Sequence, residues 1–523
     1  MNLTTDPWIP VVWDDGASGA VSLADAFACG HDIRDLSVRP HERIAVMRLL
    51  ICITHAALDG PADADDWKSC RPRIGPSALE YLKRWRDAFE LFGTGQRFLQ
   101  VSPLQKEKDD DEGNSLSKLD VMLATGNNPT LFDNAGGADR VFSPMQLALN
   151  LLTFQCFSPG GRIGVALWAG KETLGKGSSN HAPCIAGSML HAVLRGRTLL
   201  ETLHLNLLSK AQVAQLFGQN QWGQPVWEDP PRHSTDTAAV ANGTSTYLGR
   251  LVPLSRTIHL QDDPPTMILA NGLKFLEWRE PTATVTVVVR TNKGQPQRVS
   301  MRASLERAPW RELHSLTVKT ISQHTNGGPL ALQNLAGDAP FDLWVGGLVA
   351  DQAKLLDTAE SVFHVPAAML TDAGQRTYEE GVGLAQDIEF RVRRAVSVYQ
   401  KELGNNLDRA EMREQRCRVQ AKAVFKFWTD VERYVNHLLA VAEDPALVGL
   451  DKSWYKTDWG QAVYRAALTA FEQACPHATA RQIRAYVLGR RTLFAAPGQQ
   501  QVEEEVQPWP TSTPTRRNGR RSY

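Results

Sequence analysis

The pattern of apolar and polar positions along the chain changes near Pro366. Before it, short β-rich runs such as residues 341–345 mix irregularly with helical stretches such as residues 40–58, whose apolar side chains recur at helical spacing. Strands and helices do not alternate regularly in this part, so the pattern argues against a doubly wound parallel sheet. After Pro366, amphipathic repeats with helical spacing continue to about residue 496.

This pattern predicts an α+β protein, with a large irregular mixed N-terminal domain over residues 1–367 and a C-terminal four-helix bundle over residues 368–496. The bundle helices are expected at residues 384–399, 424–438, 463–474 and 483–494. Other expected elements are a helix over residues 144–156 and strands over residues 284–291 and 297–303.

Composition sets broad limits on the protein. With 523 residues, of which 42% are hydrophobic, the chain can bury a sizeable core in more than one domain. The 57 Lys and Arg residues balance the 57 Asp and Glu residues, so affinity for nucleic acid has to come from local patches or from basic partners. Residues 497–523 are rich in Gln, Glu, Pro, Thr and Arg, which predicts a disordered tail.

Cysteine usage and hydropathy indicate the compartment. The seven cysteines are scattered, odd in number and free of any Cys-x-x-Cys pair, which is typical of reduced thiols in a cytoplasm. The first residues lack the basic and apolar segments of a secretion signal, and no apolar run approaches the length of a membrane span. We therefore expect a cytoplasmic protein with no membrane partner.

Residues 170–178 contain the nearest match to an enzyme motif, the G-x-x-x-x-G-K pattern of a phosphate-binding loop. The pattern fails at the next position, because Gly177 has no hydroxyl with which to hold Mg²⁺. A flexible, glycine-rich surface loop is the favoured interpretation, and a nucleotide-binding hydrolase remains the alternative function.

Other catalytic chemistry is weakly represented in the sequence. His181, Cys184 and His191 are three possible metal ligands, but their spacing is irregular and a fourth ligand is missing, so we expect no metal and no cofactor. His55 and His204 lie in apolar helical contexts that are typical of core or boundary histidines. Neither a nucleophile elbow nor a two-metal cluster is present, so we expect a protein that is not an enzyme.

Several motifs occur in the order found in one known family. Near its start the chain contains Asp6-Pro7-Trp8-Ile9-Pro10-Val11, followed by residues 22–27, residues 43–50 and residues 195–208. In these motifs and in the helical C-terminal part, the chain resembles the CasA family, the large subunit of the type I-E CRISPR Cascade complex. The resemblance is spread over most of the chain.

The resemblance implies a non-catalytic, DNA-binding subunit of an RNA-guided complex. Such a subunit is expected to recognise a short motif beside the target, the PAM, through the minor groove of foreign double-stranded DNA. It would start the opening of the duplex for pairing with the guide RNA and recruit a helicase-nuclease. The implied partners are the backbone, small and handle-binding subunits of Cascade, the guide RNA (crRNA), the target duplex and the helicase-nuclease effector.

The resemblance implies a glycine-rich loop that enters the minor groove, and this loop maps to Gly160, Gly161 and Arg162. Without Cβ atoms, the two glycines let the backbone approach base edges in a groove about 6 Å wide. The alternative is a helix C-cap followed by a turn, since a Pro-Gly pair serves that purpose equally well.

Two further DNA-binding elements are implied by the resemblance. A glutamine wedge under the last PAM pair maps to Gln352, with Asp351 beside it, after a strand that is expected to break at Gly346. The alternative is that Asp351 and Gln352 begin an exposed helix. A lysine finger maps to Lys274, for which a merely solvated lysine is the alternative.

The resemblance also implies a loop that reaches the guide RNA or a neighbouring subunit. It maps to residues 128–134, where Phe132 and Asn134 are the candidate contacts. An aromatic ring in a polar loop suits stacking on a base or insertion into a partner's pocket, and burial in its own domain is the alternative.

The helical C-terminal part carries a local charge imbalance. Between Arg391 and Lys426 there are ten Lys or Arg residues and four acidic residues. Such a surface suits DNA phosphates or an acidic partner, and solvated helix flanks are the competing explanation.

Overall fold

The computed structural model describes the backbone of most of the chain. The described residues are 1–106, 113–123, 140–158, 163–175, 184, 189–261, 265–275, 287–292, 295–319, 327–351, 354–404, 410–449 and 453–494. Side chains are not described at residues 287–292, 295–298, 351, 354 and 410–412.

Strands and helices are intermixed in the first three quarters of the chain, and helices fill the rest. The strands are β1 (Ile9–Trp13), β2 (Ser18–Val21), β3 (Ile33–Leu36), β4 (Leu104–Lys106), β5 (Asn114–Ser115), β6 (Ala166–Trp168), β7 (Lys171–Glu172), β8 (His191–Arg195), β9 (Arg256–Gln261), β10 (Thr266–Asn271), β11 (Val287–Asn292), β12 (Gln295–Ser300), β13 (Phe341–Asp351) and β14 (Lys354–Val365). The α-helices are α1 (Leu23–Ala28), α2 (Pro40–Leu58), α3 (Ala64–Cys70), α4 (Ile74–Arg84), α5 (Pro144–Phe157), α6 (Leu199–Leu205), α7 (Lys210–Phe217), α8 (Thr237–Ser245), α9 (Tyr247–Leu251), α10 (Leu313–Leu316), α11 (Asp372–Glu402), α12 (Ala410–Glu432), α13 (Val435–Glu443), α14 (Asp458–Ala474) and α15 (Ala480–Phe494). Short 3₁₀ segments lie at Arg71–Arg73, Arg86–Phe89, Leu116–Leu119, Pro309–Glu312, Leu330–Asn334, Ala367–Leu370, Pro445–Leu447 and Trp454–Lys456.

The chain divides into two compact units. The first comprises Met1–Val382 and Val435–Thr457, and the second comprises Gly383–Tyr434 and Asp458–Tyr523. The first unit mixes small sheets with helices, and the second is helical in its described part. The predicted α+β class with a helical C-terminal region is therefore confirmed.

The core of the first unit forms around α2. Pro40 starts this helix, which is buried over most of its length and packs against α4, α5, α9 and β13. The neighbouring sheet has the order β2-β1-β3, and the Trp8 that precedes β1 is fully buried. Its indole N–H donates to the Leu3 carbonyl at 3.1 Å, which fixes the first turn of the chain against the sheet.

Two more sheets position the candidate site. β9, β10 and β5 form an antiparallel sheet in the order β5-β10-β9, and β13 lies between β14 and β8 in another. The expected strand break at Gly346 is wrong, because β13 continues to Asp351. The glycines serve close packing instead: a Cβ on Gly347 would lie 2.6 Å from the Met189 carbonyl oxygen.

The expected helix over residues 424–438 is also interrupted. α12 ends at Glu432, and α13 belongs to the first compact unit. There Leu438 is fully buried against Gly381, where a side chain would collide with it. The apolar pattern is continuous across the break because both helices bury a face, each in its own unit. In the described part of the chain, no helix combines the length and apolarity that a bilayer span requires.

Candidate nucleic-acid interface

The helix before the glycine-rich segment is fixed tightly at both ends. Ser143 caps α5 through a capping box with Gln146, and Pro144 occupies its first turn. Near its C-terminus, the fully buried Gln155 side chain donates to the Leu99 carbonyl at 3.1 Å and to the Arg256 carbonyl at 3.0 Å. The chain leaves α5 through Ser158, which is also buried.

The predicted glycine-loop residues lie just beyond this point. Gly160, Gly161 and Arg162 are outside the described residues, so their contacts with DNA stay predictions. The structure does define the two ends from which the segment emerges, Ser158 at the end of α5 and Ile163 ahead of β6.

A buried arginine joins this helix end to the sheet beside it. The Arg256 Nε–H donates to the Ser158 hydroxyl at 2.9 Å, and one terminal N–H donates to the Asn271 side-chain carbonyl at 3.1 Å. The Asn271 amide donates in turn to the Leu174 carbonyl at 3.0 Å. We call Ser158, Arg256, Asn271 and Leu174 the Arg256 network. Burial lowers the pKa of Arg256 to about 10, so the guanidinium stays charged at neutral pH.

Lys274 extends from the same sheet edge. It lies in the lysine loop, residues 272–275, which directly follows Asn271 at the end of β10. Leu273 is buried and donates its backbone N–H to the Leu254 carbonyl, and the Phe275 ring lies 5.9 Å from the Arg250 guanidinium. Lys274 itself is exposed. The structure therefore presents this lysine to solvent between two packed neighbours, and it brings Lys274 and the start of the glycine-rich segment onto one network.

Two paired strands, rather than a helix, flank the position of the predicted wedge. Asp351 ends β13 and is the antiparallel partner of Lys354, the first residue of β14. The alternative of an exposed helix starting at Asp351 is therefore wrong, because the apolar residues from Leu355 onward belong to a strand that packs on β13. Gln352 lies outside the described residues, and so does the Asp351 side chain.

The hairpin and the helix end are linked at the base of β13. Gly346 pairs with His191 of β8, and the His191 ring lies 6.1 Å from the Phe157 ring, one residue before Ser158. Asp351 lies five positions after Gly346 along β13, a distance of about 17 Å. The described residues that flank the two candidate segments, Ser158 and Asp351, thus belong to neighbouring elements of the first unit.

Charged pairs hold the hairpin onto the core. The Trp344 indole N–H donates to Glu360 across β13 and β14 at 2.6 Å, and the Arg43 guanidinium lies 5.6 Å from the Trp344 ring. Arg43 also bonds Asp35, which accepts from Arg195 of β8 at 2.7 Å. These contacts tie α2, β3, β8 and β14 together, so the part of the hairpin around Trp344 and Glu360 is anchored in the first unit.

Residues 170–178 adopt a different conformation from a phosphate-binding loop where they are described. Ala169 and Gly170, both at positive φ, join β6 to β7. Lys171 and Glu172 pair with β6, and the Thr173 N–H donates to the Ala166 carbonyl. In a phosphate-binding loop, the backbone amides after the first glycine converge on the phosphate, whereas here they belong to a hairpin.

The remaining candidate residues have plainer roles or lie outside the described residues. The candidates outside the described residues are Phe132, Asn134 and His181. His55 and His204 are confirmed as core or boundary residues: the His55 ring is fully buried, and the His204 ring stacks on Trp67 at 4.3 Å. Among the residues that the structure describes, no cluster of three or more metal-ligating side chains occurs.

The basic stretch in the second unit is partly neutralised by its own helices. Arg393 pairs with Glu389 and Arg418 pairs with Glu414, each one helical turn away. Lys426 pairs with Asp430 in the same way. Arg413 and Lys422 of α12 remain exposed. The electrostatic surface is therefore weaker than the sequence count indicates.

The Arg256 network was missed by the sequence reasoning. One signal was available, since Arg256 precedes an alternating run, Thr257 to Leu260, that reads as a strand. A charged residue at the start of such a strand is normally assigned to the surface, and only the three-dimensional contacts with Ser158 and Asn271 show that it is buried.

Comparison with known proteins identifies the class and then the family. A family model described as CRISPR-associated protein Cse1 matches residues 2–470, so the protein is of the CRISPR-associated class. Within that class, the chain belongs to the Cse1 family. It is 27% identical over 499 residues to the CRISPR-associated protein CasA/Cse1 of Thermus thermophilus, covering 90% of this chain and 91% of the relative. The resemblance to the CasA family is therefore confirmed.

Solved structures share the fold. The crystal structure of Thermobifida fusca Cse1 superposes with a TM-score of 0.74 at 21% identity, over 94% of this chain and 97% of that one. A chain of a structure titled "CRISPR RNA-guided surveillance complex" superposes with a TM-score of 0.68 at 17% identity, over 95% and 99% of the two chains. Both likenesses extend over the two compact units.

Proposed function

We propose that this chain is the non-catalytic large subunit of a type I-E Cascade complex, which recognises the PAM of foreign double-stranded DNA through the minor groove. In this proposal it starts duplex opening so that the guide RNA can pair, and it recruits a helicase-nuclease. Its partners are the backbone, small and handle-binding subunits, the crRNA and the target duplex. Membership of the Cse1 family and the shared fold with a chain of an RNA-guided surveillance complex support this proposal.

One observation carries the proposal: Arg256 joins the helix end that leads into the glycine-rich segment to the strand end that leads into Lys274. The exposed Lys274 follows Asn271 by three residues, and the segment with Gly160 and Gly161 begins at Ser158. Arg256 bonds both Ser158 and Asn271. A lysine ammonium and the N–H groups of a backbone without side chains both donate hydrogen bonds, which suits a narrow groove that presents acceptor atoms along its floor.

The wedge role of Gln352 is supported by its flanking strands. Asp351 and Lys354 are paired, and the hairpin is held on the core by the Trp344–Glu360 bond and by Arg43. A wedge has to resist the force of stacked base pairs, whose separation costs a few kcal/mol per step. A glutamine amide both donates and accepts, so it can replace the partners of separated bases, whereas the Asp351 carboxylate is repelled by phosphates.

Contacts outside the duplex complete the proposal. Phe132 and Asn134 are assigned to the guide RNA or a neighbouring subunit, where an aromatic ring can stack on a base or fill a pocket. Arg162 is assigned to the DNA backbone beside the two glycines, because a guanidinium binds phosphate oxygens in bidentate geometry.

The experiment that tests the proposal separates duplex opening from general binding. The chain is assembled with guide RNA and partner subunits, and gel shifts measure binding to an intact target duplex and to a duplex already opened beside the PAM. Gln352→Ala should weaken binding of the intact duplex by at least about tenfold, which corresponds to part of the unstacking cost, and leave the opened duplex nearly unaffected.

Gln215→Ala provides the matched control, since Gln215 is an exposed glutamine of α7. This variant should bind both duplexes like the parent chain. Equal binding of the intact duplex by Gln352→Ala and by the parent would remove the wedge assignment.

A further inference from the structure

The Arg256 side chain lies between the end of α5, which leads into the glycine-rich segment, and the end of β10, which leads into the lysine loop. Arg256 is 1% exposed, as are Ser158 and Asn271. Its Nε–H and a terminal N–H point to different elements, the end of α5 and the end of β10. The planar guanidinium fixes the angle between its donors, so two contacts made by one guanidinium set the spacing of the groups that accept them.

The backbone of Arg256 is held by the same helix. The Arg256 N–H donates to the Gln155 side-chain oxygen at 2.9 Å, and the Gln155 amide donates to the Arg256 carbonyl at 3.0 Å. The neighbouring Ser255 hydroxyl donates to the Gln155 carbonyl at 2.5 Å. Gln155 of α5 therefore holds the backbone at the start of β9, and Ser158 at the end of α5 holds the Arg256 side chain. These contacts leave the guanidinium little freedom to shift.

Packed and hydrogen-bonded residues connect Arg256 to Lys274. Asn271 is the cross-strand partner of Arg256. At Gly272 the chain passes so close to Ser255 that a Cβ would collide with the Ser255 backbone. Leu273 is then buried and lies against Gly243, and Lys274 follows at the surface. Each residue between the guanidinium and the lysine is thus packed or hydrogen-bonded.

We propose that Arg256 is a positioning residue for PAM recognition, which sets the distance between the end of α5 at Ser158 and the lysine loop with Lys274. This role rests on the proposed function. Arg256 touches no DNA itself; it acts through Ser158 and Asn271, and its loss lets the end of α5 and the lysine loop move independently. The result is reduced discrimination between duplexes with and without the PAM, beyond any loss of stability.

The test measures discrimination between duplexes with and without the PAM, which a purely structural role of Arg256 would leave unchanged. With the full chain in the assembled complex, dissociation constants are measured for duplexes with the preferred PAM and with a scrambled one. The PAM ratio is the constant for the scrambled duplex divided by the constant for the preferred one. Ser158→Ala should lower the ratio of the two constants about tenfold, the factor that one hydrogen bond to a charged group supplies. Ser158→Thr keeps a hydroxyl and should restore most of the discrimination.

A second arginine supplies the control for stability. Arg48 is as buried as Arg256, and it donates to the carbonyls of Leu251 at 2.8 Å and Arg250 at 2.5 Å. Arg48→Lys and Arg256→Lys should both lower the thermal transition, because lysine loses the guanidinium geometry. Only Arg256→Lys should lower the PAM ratio. An unchanged ratio in both Arg256→Lys and Ser158→Ala would overturn the proposal.

Lys274→Ala distinguishes a failure of the lysine finger in the proposed function from a failure of the positioning role of Arg256. If it leaves the PAM ratio unchanged, the lysine finger is wrong and the network has no probe to position. If Lys274→Ala lowers the ratio and Ser158→Ala does not, only the positioning role is wrong. Because Ser158→Ala removes a single oxygen atom, its ratio decides the question even when Arg256→Lys fails to fold.

Discussion

Arg256 donates a hydrogen bond to Ser158, a residue 98 positions earlier in the chain, and this bond joins the end of a helix to the edge of a sheet. The segment with Gly160 and Gly161 begins at that helix end, and Lys274 follows that sheet edge. A recognition surface of short probes needs a common base of this kind, because a narrow groove tolerates little error in their spacing.

Gly272 is expected to tolerate no side chain. A Cβ there would collide with the Ser255 backbone, so Gly272→Ala should lower the free energy of unfolding by about 1–3 kcal/mol and displace the lysine loop. Gly383→Ala is the control, since a Cβ on this helical glycine meets open space and should stabilise α11 by about 0.5–1 kcal/mol. Chemical denaturation checks both values, and a Gly272→Ala variant as stable as the parent would contradict the packing.

The buried His55 predicts that stability falls in mild acid. Burial lowers its pKa from 6.5 to about 4, so between these values the unfolded chain binds a proton that the folded chain does not. The free energy of unfolding should therefore fall as the pH drops from 6.5 to 4, by about 1.4 kcal/mol per pH unit for this residue. His41, with a pKa lowered to about 3 by burial, adds to the same trend.

Urea denaturation across this pH range measures the slope. His55→Gln should reduce proton uptake on unfolding by about one. A slope in His55→Gln equal to that of the parent chain would contradict the role of His55.

Exposed bases of α12 are expected to contribute to DNA affinity through phosphates. Replacing Arg413 and Lys422 by Gln should reduce the slope of log affinity against log salt by up to about 2, since each phosphate contact contributes about 0.9. The same charge change at Lys83 and Arg84, exposed on α4, is the control. Binding titrations at several salt concentrations decide; an unaltered slope would assign the α12 surface to a protein partner instead.

Local patterns predicted several elements well. The expected helix over residues 40–58 coincides with α2, and the expected helix over residues 144–156 with α5, because each has a proline start and a continuous apolar run. The expected strands over residues 284–291 and 297–303 lie close to β11 and β12. These features depend on residues that are close together in the sequence, so the sequence alone is enough to predict them.

Features that depend on distant contacts were missed. The glycines at 346 and 347 read as a strand break, yet they lie within β13 because Gly347 approaches the Met189 backbone. The helix of residues 424–438 read as continuous, although Leu438 packs in the first unit beside Gly381. The burial of Arg256 likewise depends on Ser158 and Asn271, which sequence spacing does not bring together.

Site-specific crosslinking at position 274 shows whether Lys274 contacts the PAM. A photoreactive side chain replaces Lys274 in the assembled complex, and a second chain carries it at Lys83, an exposed lysine of α4. We predict that position 274 crosslinks to the PAM base pairs of an intact target duplex, and that the yield falls to the level of position 83 when the PAM is scrambled. Equal DNA crosslinking from positions 274 and 83 with the PAM present would contradict this prediction.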